Sequence, residues 1–198
     1  MSRKLNRCKK DEKGFTLIEL LVVAAIIGIL LAIAIPNLMK ARMSANEANA
    51  RKSMQTLRDA EGEYFEQDLN NDGERNFTSE IGTLGEEGTL RDPAGTDEEV
   101  DALIDSSFEG AVADSGSADC EDPKAGYCIQ WDTDDETLET GPDVDDFGWQ
   151  TSMSSYNKTG RRDFAVYGDG AIRCTVSTAT DAGTAGTFDA VRTSPGCD

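Results

Sequence analysis

The chain contains no histidine. Histidine-based acid–base catalysis and histidine metal sites are therefore excluded. Basic residues are scarce where acids are dense: between Asp92 and Asn157, Lys124 is the lone cation against 19 carboxylates. The whole chain carries 19 Lys+Arg and 38 Asp+Glu, a net charge of −19. Such a surface repels itself and repels phosphate backbones, so no nucleic-acid partner is expected for the chain alone. No C-x-x-C pair is present, which argues against structural zinc. The nucleophile elbow G-x-S-x-G, the phosphate loop G-x-x-x-x-G-K-[ST] and the dinucleotide fingerprint G-x-G-x-x-G are all missing. Paired acids abound, but at this density neighbours arise by chance and nothing marks a shared cleft. The chain reads as a non-enzyme.

Charge is absent altogether from Leu20 to Met39, a run of 20 residues. As a helix this run is about 30 Å long, the thickness of a bilayer core. Ahead of it lie Arg3, Lys4, Arg7, Lys9, Lys10 and Lys13, against only Asp11 and Glu12. A basic flank of this kind stays on the cytoplasmic side while the following chain crosses. Glu19, at the edge of the run, is the odd residue, because a carboxylate there is expensive without a partner. A secretory signal cleaved near Ala32-Ile33-Ala34 and a plain single-pass anchor are the simpler readings of such a run. Neither accounts for Gly14-Phe15 or for Glu19.

The segment Gly14-Phe15-Thr16-Leu17-Ile18-Glu19, with its basic leader, apolar run and Pro36, resembles the processing site of the type IV prepilin family. That family takes in pilus subunits and the pseudopilins of type II secretion. The resemblance implies a leader over residues 1–14, removed by a membrane peptidase that cuts after Gly14 and methylates the new N-terminus at Phe15. It assigns Glu19 to assembly, paired with the N-terminal amine of a neighbouring subunit. It places Pro36 where the family often has a helix-kinking proline. The partners it implies are membrane lipid before assembly, the prepilin peptidase/methyltransferase, an inner-membrane assembly platform, and a homo-oligomeric fibre with related pilins. Removal of the leader leaves 13 basic and 36 acidic residues, a net charge of −23.

The expected fold is α+β: a long N-terminal helix, half membrane-spanning and half amphipathic, packed on a small antiparallel β-sheet head in the manner of a type IV pilin. The helix is expected over residues 15–67, with its transmembrane part at about 15–38, and the acidic head over 68–198. Past Pro36 the sequence is rich in helix formers. Ala50, Met54, Leu57 and Tyr64 recur at helical spacing as one apolar stripe. Strands are expected at 126–131 and 147–153, then a hairpin about Gly168-Asp169-Gly170 in which alternation at Phe164 and Val166 predicts one buried face. Of the five cysteines, Cys8 lies in the leader. Cys120, Cys128, Cys174 and Cys197 remain on the exported side, and read as two disulfides, with Cys120–Cys128 and Cys174–Cys197 favoured among three pairings.

Asp68, Asn70 and Asp72 open a D-x-[DN]-x-[DN]-G pattern that suits calcium, yet Ser79 stands where the loop needs a bidentate glutamate. A helix-ending Asn-Asp-Gly turn explains the same residues without metal. The connection Asp132–Asp146, with eight acids in fifteen residues, is a second possible cation site. The expected function is a structural subunit of a type IV pilus, held in the inner membrane by one span with its head outside, then passed to a surface fibre. A periplasmic pseudopilin of type II secretion and a membrane-anchored acidic binding module are the alternatives.

Overall fold

The computed structural model describes residues 14–68, 73–85, 102–113, 117–141 and 144–197. The chain divides between Met39 and Lys40 into two compact units. One helix, α1 (Leu17–Gln67), contributes to both. Its first part is exposed at every residue from Gly14 to Met39. This is the reverse of a soluble protein's surface, with Leu17, Ile18, Leu20, Leu30 and Ile33 each more than 60% exposed. It is long and apolar enough to cross a membrane. The helix runs through Pro36 without interruption. Proline removes only the donor that would serve the carbonyl of Ala32, and the flanking apolar residues all favour helix.

The second unit is an α+β head, as expected. Four strands, β1 (Tyr127–Trp131), β2 (Gly148–Met153), β3 (Arg162–Tyr167) and β4 (Ile172–Val176), form an antiparallel meander in the order β1-β2-β3-β4. The register pairs Ile129 with Thr151, Trp149 with Val166, and Phe164 with Cys174. A single turn, α2 (Ile81–Leu84), adds Ile81 and Leu84 to the core. The apolar stripe of α1, namely Ala50, Met54, Leu57, Ala60 and Tyr64, packs into one cluster with Trp131, Trp149, Phe164 and Val166. Trp131 and Trp149 meet edge to face at 5.2 Å.

The sheet differs from the sequence expectation in one respect: both of its faces are buried. Every residue of β2 is buried, as are Asp163, Ala165 and Tyr167 of β3. The second face is covered by the C-terminal tail, which reads as small and polar but carries Phe188 and Ala190 into the sheet. Gln150 Nε2 donates to the Ala190 carbonyl at 2.9 Å. The buried Asp163 accepts from the Asp189 amide and from Ser152 Oγ, which satisfies its carboxylate under the tail. Period-two alternation signals one apolar face only. Here the second face uses alanine, tyrosine and hydrogen-bonded polar groups, which that signal does not register.

Candidate assembly site

Three arrangements bear on assembly: the N-terminus of α1, the clamp that holds α1 to the sheet, and the links that hold the acidic segments of the head.

At the N-terminus, Thr16 caps the helix. The Thr16 amide and hydroxyl both donate to Glu19 Oε2, at 2.9 and 2.6 Å, and the Glu19 amide donates back to Thr16 Oγ1 at 3.3 Å. This is a reciprocal capping box, T-x-x-E, in which each residue satisfies an otherwise orphaned N–H of the first turn. The carboxylate also sits at the positive end of the helix dipole. Glu19 is thus not an unpartnered charge within its own chain, and the other oxygen, Oε1, has no partner among the described residues. Gly14 and Phe15 are exposed immediately ahead of the cap. Pro36 is exposed in the same apolar run. The capping function of Thr16 was legible as a Thr three residues before a Glu, although the expectation for Glu19 concerned only a neighbouring subunit.

The clamp is Glu61. It is fully buried in the α1 stripe, one turn beyond Leu57. Trp149 Nε1 on β2 donates to Glu61 Oε1 at 2.7 Å, and the Thr78 amide donates to Oε2 at 3.2 Å. Burial pushes the carboxyl up to about 8, against the opposing pull of these two hydrogen bonds. Sequence reading passed over this residue. The signal was present: Leu57, Glu61 and Tyr64 continue the 4-3 spacing of the stripe, and a carboxyl on an apolar stripe must be buried with donors around it.

The acidic connection between β1 and β2 is held by the protein's own cation. Arg192 Nε meets Asp135 Oδ2 at 2.7 Å and its Nη1 meets Asp146 Oδ2 at 2.9 Å. The guanidinium lies 4.5 Å from the centre of the Tyr167 ring. The Tyr167 hydroxyl donates to Asp132 Oδ2 at 2.7 Å, while Asp132 Oδ1 accepts from the amides of Asp134 and Asp135. The Thr137 hydroxyl and Arg192 hold the Asp135 carboxyl down at about 2. Among the described residues no group of three or more acidic or cysteine side chains converges as a metal site. At the other suggested cation site, Asp68 has φ of 48° and its Oδ2 accepts the Gly73 amide at 3.1 Å, closing a turn. Asn70 and Asp72 lie outside the described residues. Disulfides join Cys120 to Cys128 and Cys174 to Cys197. The first ties 120 back to β1. The second fixes the tail on β4, where the Cys174 amide also donates to the Pro195 carbonyl at 3.0 Å.

These features define a class: an exposed apolar N-terminal helix whose second half is clamped to an α+β head. Residues 9–35 match the family described as the prokaryotic N-terminal methylation motif. The type IV major pilin protein PilA of Myxococcus xanthus is 39% identical over 85 residues, 43% of this chain and 37% of that protein. The type IV wide pilus major component PilA4 of Thermus thermophilus is 63% identical over 38 residues, 19% of this chain and 29% of that protein. The type IV narrow pilus major component PilA5 of the same organism is 50% identical over 48 residues, 24% of this chain and 41% of that protein. The matched segment thus spans well under half the length of each of these relatives. No solved structure matches the chain. Over its N-terminal stretch the chain is thus similar to type IV pilins, through the methylation motif at residues 9–35.

Proposed function

We propose that the chain is a structural subunit of a type IV pilus. The observation that carries this reading is the fully exposed first part of α1, uncharged from Leu20 to Met39, that follows Gly14-Phe15 and is begun by the Thr16–Glu19 cap. The roles named for the Myxococcus and Thermus relatives, major components of pili, favour an extended surface fibre for this chain. In this reading a prepilin peptidase cuts after Gly14 and methylates Phe15. The subunit waits in the inner membrane as a single span with its head outside. An assembly platform then moves it into the fibre.

The energetics follow from the exposure of this helix. In lipid the apolar residues are already out of water, so entry into the fibre exchanges lipid contact for helix contact and is governed by packing. Return of a subunit from fibre to water is a different matter, opposed by roughly 25 cal/mol for each Å² of apolar surface re-exposed. Cleavage removes the six basic residues of the leader, which an apolar bundle does not accommodate. It also creates a positive amine on Phe15, one residue before the capping Thr16. Glu19 is placed to serve two donors at once: Oε2 keeps its own helix capped, and Oε1 accepts the amine of a neighbour. Processing and assembly are coupled through that amine.

The test is N-terminal sequencing of mature protein together with electron microscopy of sheared surface fibres. A methylated Phe15 in protein recovered from fibres is the expected result, and an N-terminus at Ile35 refutes the reading. Glu19→Ala is expected to be cleaved normally but to enter fibres poorly. Normal fibre yield from that variant refutes the amine pairing.

A further inference from the structure

The uncharged run of α1 is bracketed by charge. Glu19 stands at its first end, Lys40 is the first charged residue after Met39, and Arg42 follows two positions on. From Glu19 to Lys40 the unbroken helix rises about 32 Å, close to the thickness of a bilayer core. Lys40 and Arg42 are both exposed, and neither has an ion-pair partner among the described residues. The first carboxylate beyond them, Glu47, is already engaged: its Oε1 accepts the Arg161 amide at 3.0 Å.

These two cations lie on the unusual side of a span. Basic flanks are ordinarily kept on the cytoplasmic side. The six basic residues of the leader satisfy that rule in the precursor, and cleavage after Gly14 removes all six. The processed span is left with the Phe15 amine and the Glu19 carboxylate on its inner side, which offset each other, and with Lys40 and Arg42 on its outer side. Its charge asymmetry is reversed. At the outer boundary the long stems of lysine and arginine reach from the last apolar turn into the layer of lipid phosphates. Two residues apart, the two side chains leave the helix about 200° from each other and so meet different lipids. The rest of the chain does little to attract an anionic surface: beyond Arg42 there are 35 acidic and 11 basic residues. The next cations, Arg51 and Lys52, lie about 14 Å further along the axis, past the screening length at physiological salt.

We infer that Lys40 and Arg42 form a binding site for the phosphate groups of anionic phospholipids in the outer leaflet of the inner membrane, and that this site holds the processed subunit at a fixed depth once the leader is gone. The inference rests on the membrane stage of the pilus reading, and it names the lipid class and the residues of that stage.

The experiment uses the full mature chain reconstituted into phosphatidylcholine vesicles. Trace spin-labelled phosphatidylglycerol and, separately, spin-labelled phosphatidylcholine are added, and the motionally restricted fraction of each reports its contact with the protein. One cation at an anionic lipid surface is worth about fivefold. The unaltered chain is expected to prefer phosphatidylglycerol by that order, and the double variant Lys40→Gln with Arg42→Gln to show no preference. Arg51→Gln with Lys52→Gln is expected to keep it. Equal association of the two lipids with the unaltered chain overturns the inference. So does a preference that survives Lys40→Gln with Arg42→Gln, or one lost to the same extent in Arg51→Gln with Lys52→Gln. A chain that restricts neither lipid overturns the membrane stage of the pilus reading itself.

Discussion

Glu61 makes the stability of the head depend on pH in a predictable direction. Its carboxyl is pushed up to about 8 by burial, while an unfolded glutamate titrates near 4.5. Between those values the native state holds a proton that the unfolded chain has released. Each rise in pH therefore favours the unfolded chain, at about 1.4 kcal/mol per unit, until the native group itself ionises near 8. The stabilising contribution is complete at acid pH and is lost as pH climbs. Asp163, pushed up to about 6 chiefly by burial, adds the same trend at lower pH. The interval from pH 6.5 to 8 separates the two residues. There the Glu61 contribution falls by roughly 1–2 kcal/mol, which for a chain of this size is a drop of roughly 2–8 °C in Tm. Glu61→Gln resembles the protonated acid: it keeps one acceptor and turns an N–H toward Trp149 Nε1 or the Thr78 amide, at a cost of about 1 kcal/mol that does not vary with pH. The assay is thermal unfolding of the mature chain and of Glu61→Gln, in detergent, across that interval. The variant should be slightly less stable than wild type at pH 6.5 and should gain on it steadily up to pH 8. A constant difference between the two refutes the reasoning.

Two further predictions concern the acidic segments. Arg192→Ala removes the cation that Asp135 and Asp146 share, and is expected to lower stability at pH 7 by about 1–2 kcal/mol in urea titration, less at high salt. An unchanged midpoint would mean that the guanidinium is screened too well to matter. For Asp68, Asn70 and Asp72, the metal-free turn reading expects millimolar Ca²⁺ to leave Tm unchanged. A rise in Tm with Ca²⁺ that Asp68→Ala abolishes would establish a cation site there instead.

The long helix and the meander were legible because their signals are local. An uncharged run of bilayer length, a stripe at helical spacing and an Asp-Gly turn between alternating strands each declare their element within a few residues. Strands β1 to β4 fall within a residue or two of the segments read from aromatic and β-branched residues. What escaped was set by partners distant in sequence. Glu61 meets Trp149 across 88 positions, and Arg192 meets Asp135 across 57. The acidic connection draws its neutralising charge from Arg192, far along the chain. The tail looked featureless because Phe188 and Ala190 matter only where the sheet's second face already exists. At the N-terminus, Thr16 and Glu19 belong to the expected processing segment, yet their spacing is equally that of a helix cap.

The sheet's margins have a consequence for how such a fibre is put together. On one side, β1 is met by residues 111–113, with the Ile129 amide donating to the Ala111 carbonyl at 2.7 Å and the Ala113 amide to the Ile129 carbonyl at 2.8 Å. On the other, β4 is met by the stretch around Gly196 that the Cys174–Cys197 disulfide holds in place. Among the described residues, both edge strands therefore have backbone groups already engaged within the chain, Ile129 on β1 and Ile172 and Cys174 on β4, which opposes strand exchange between heads. On the pilus reading, growth of the filament would then rest on the helix.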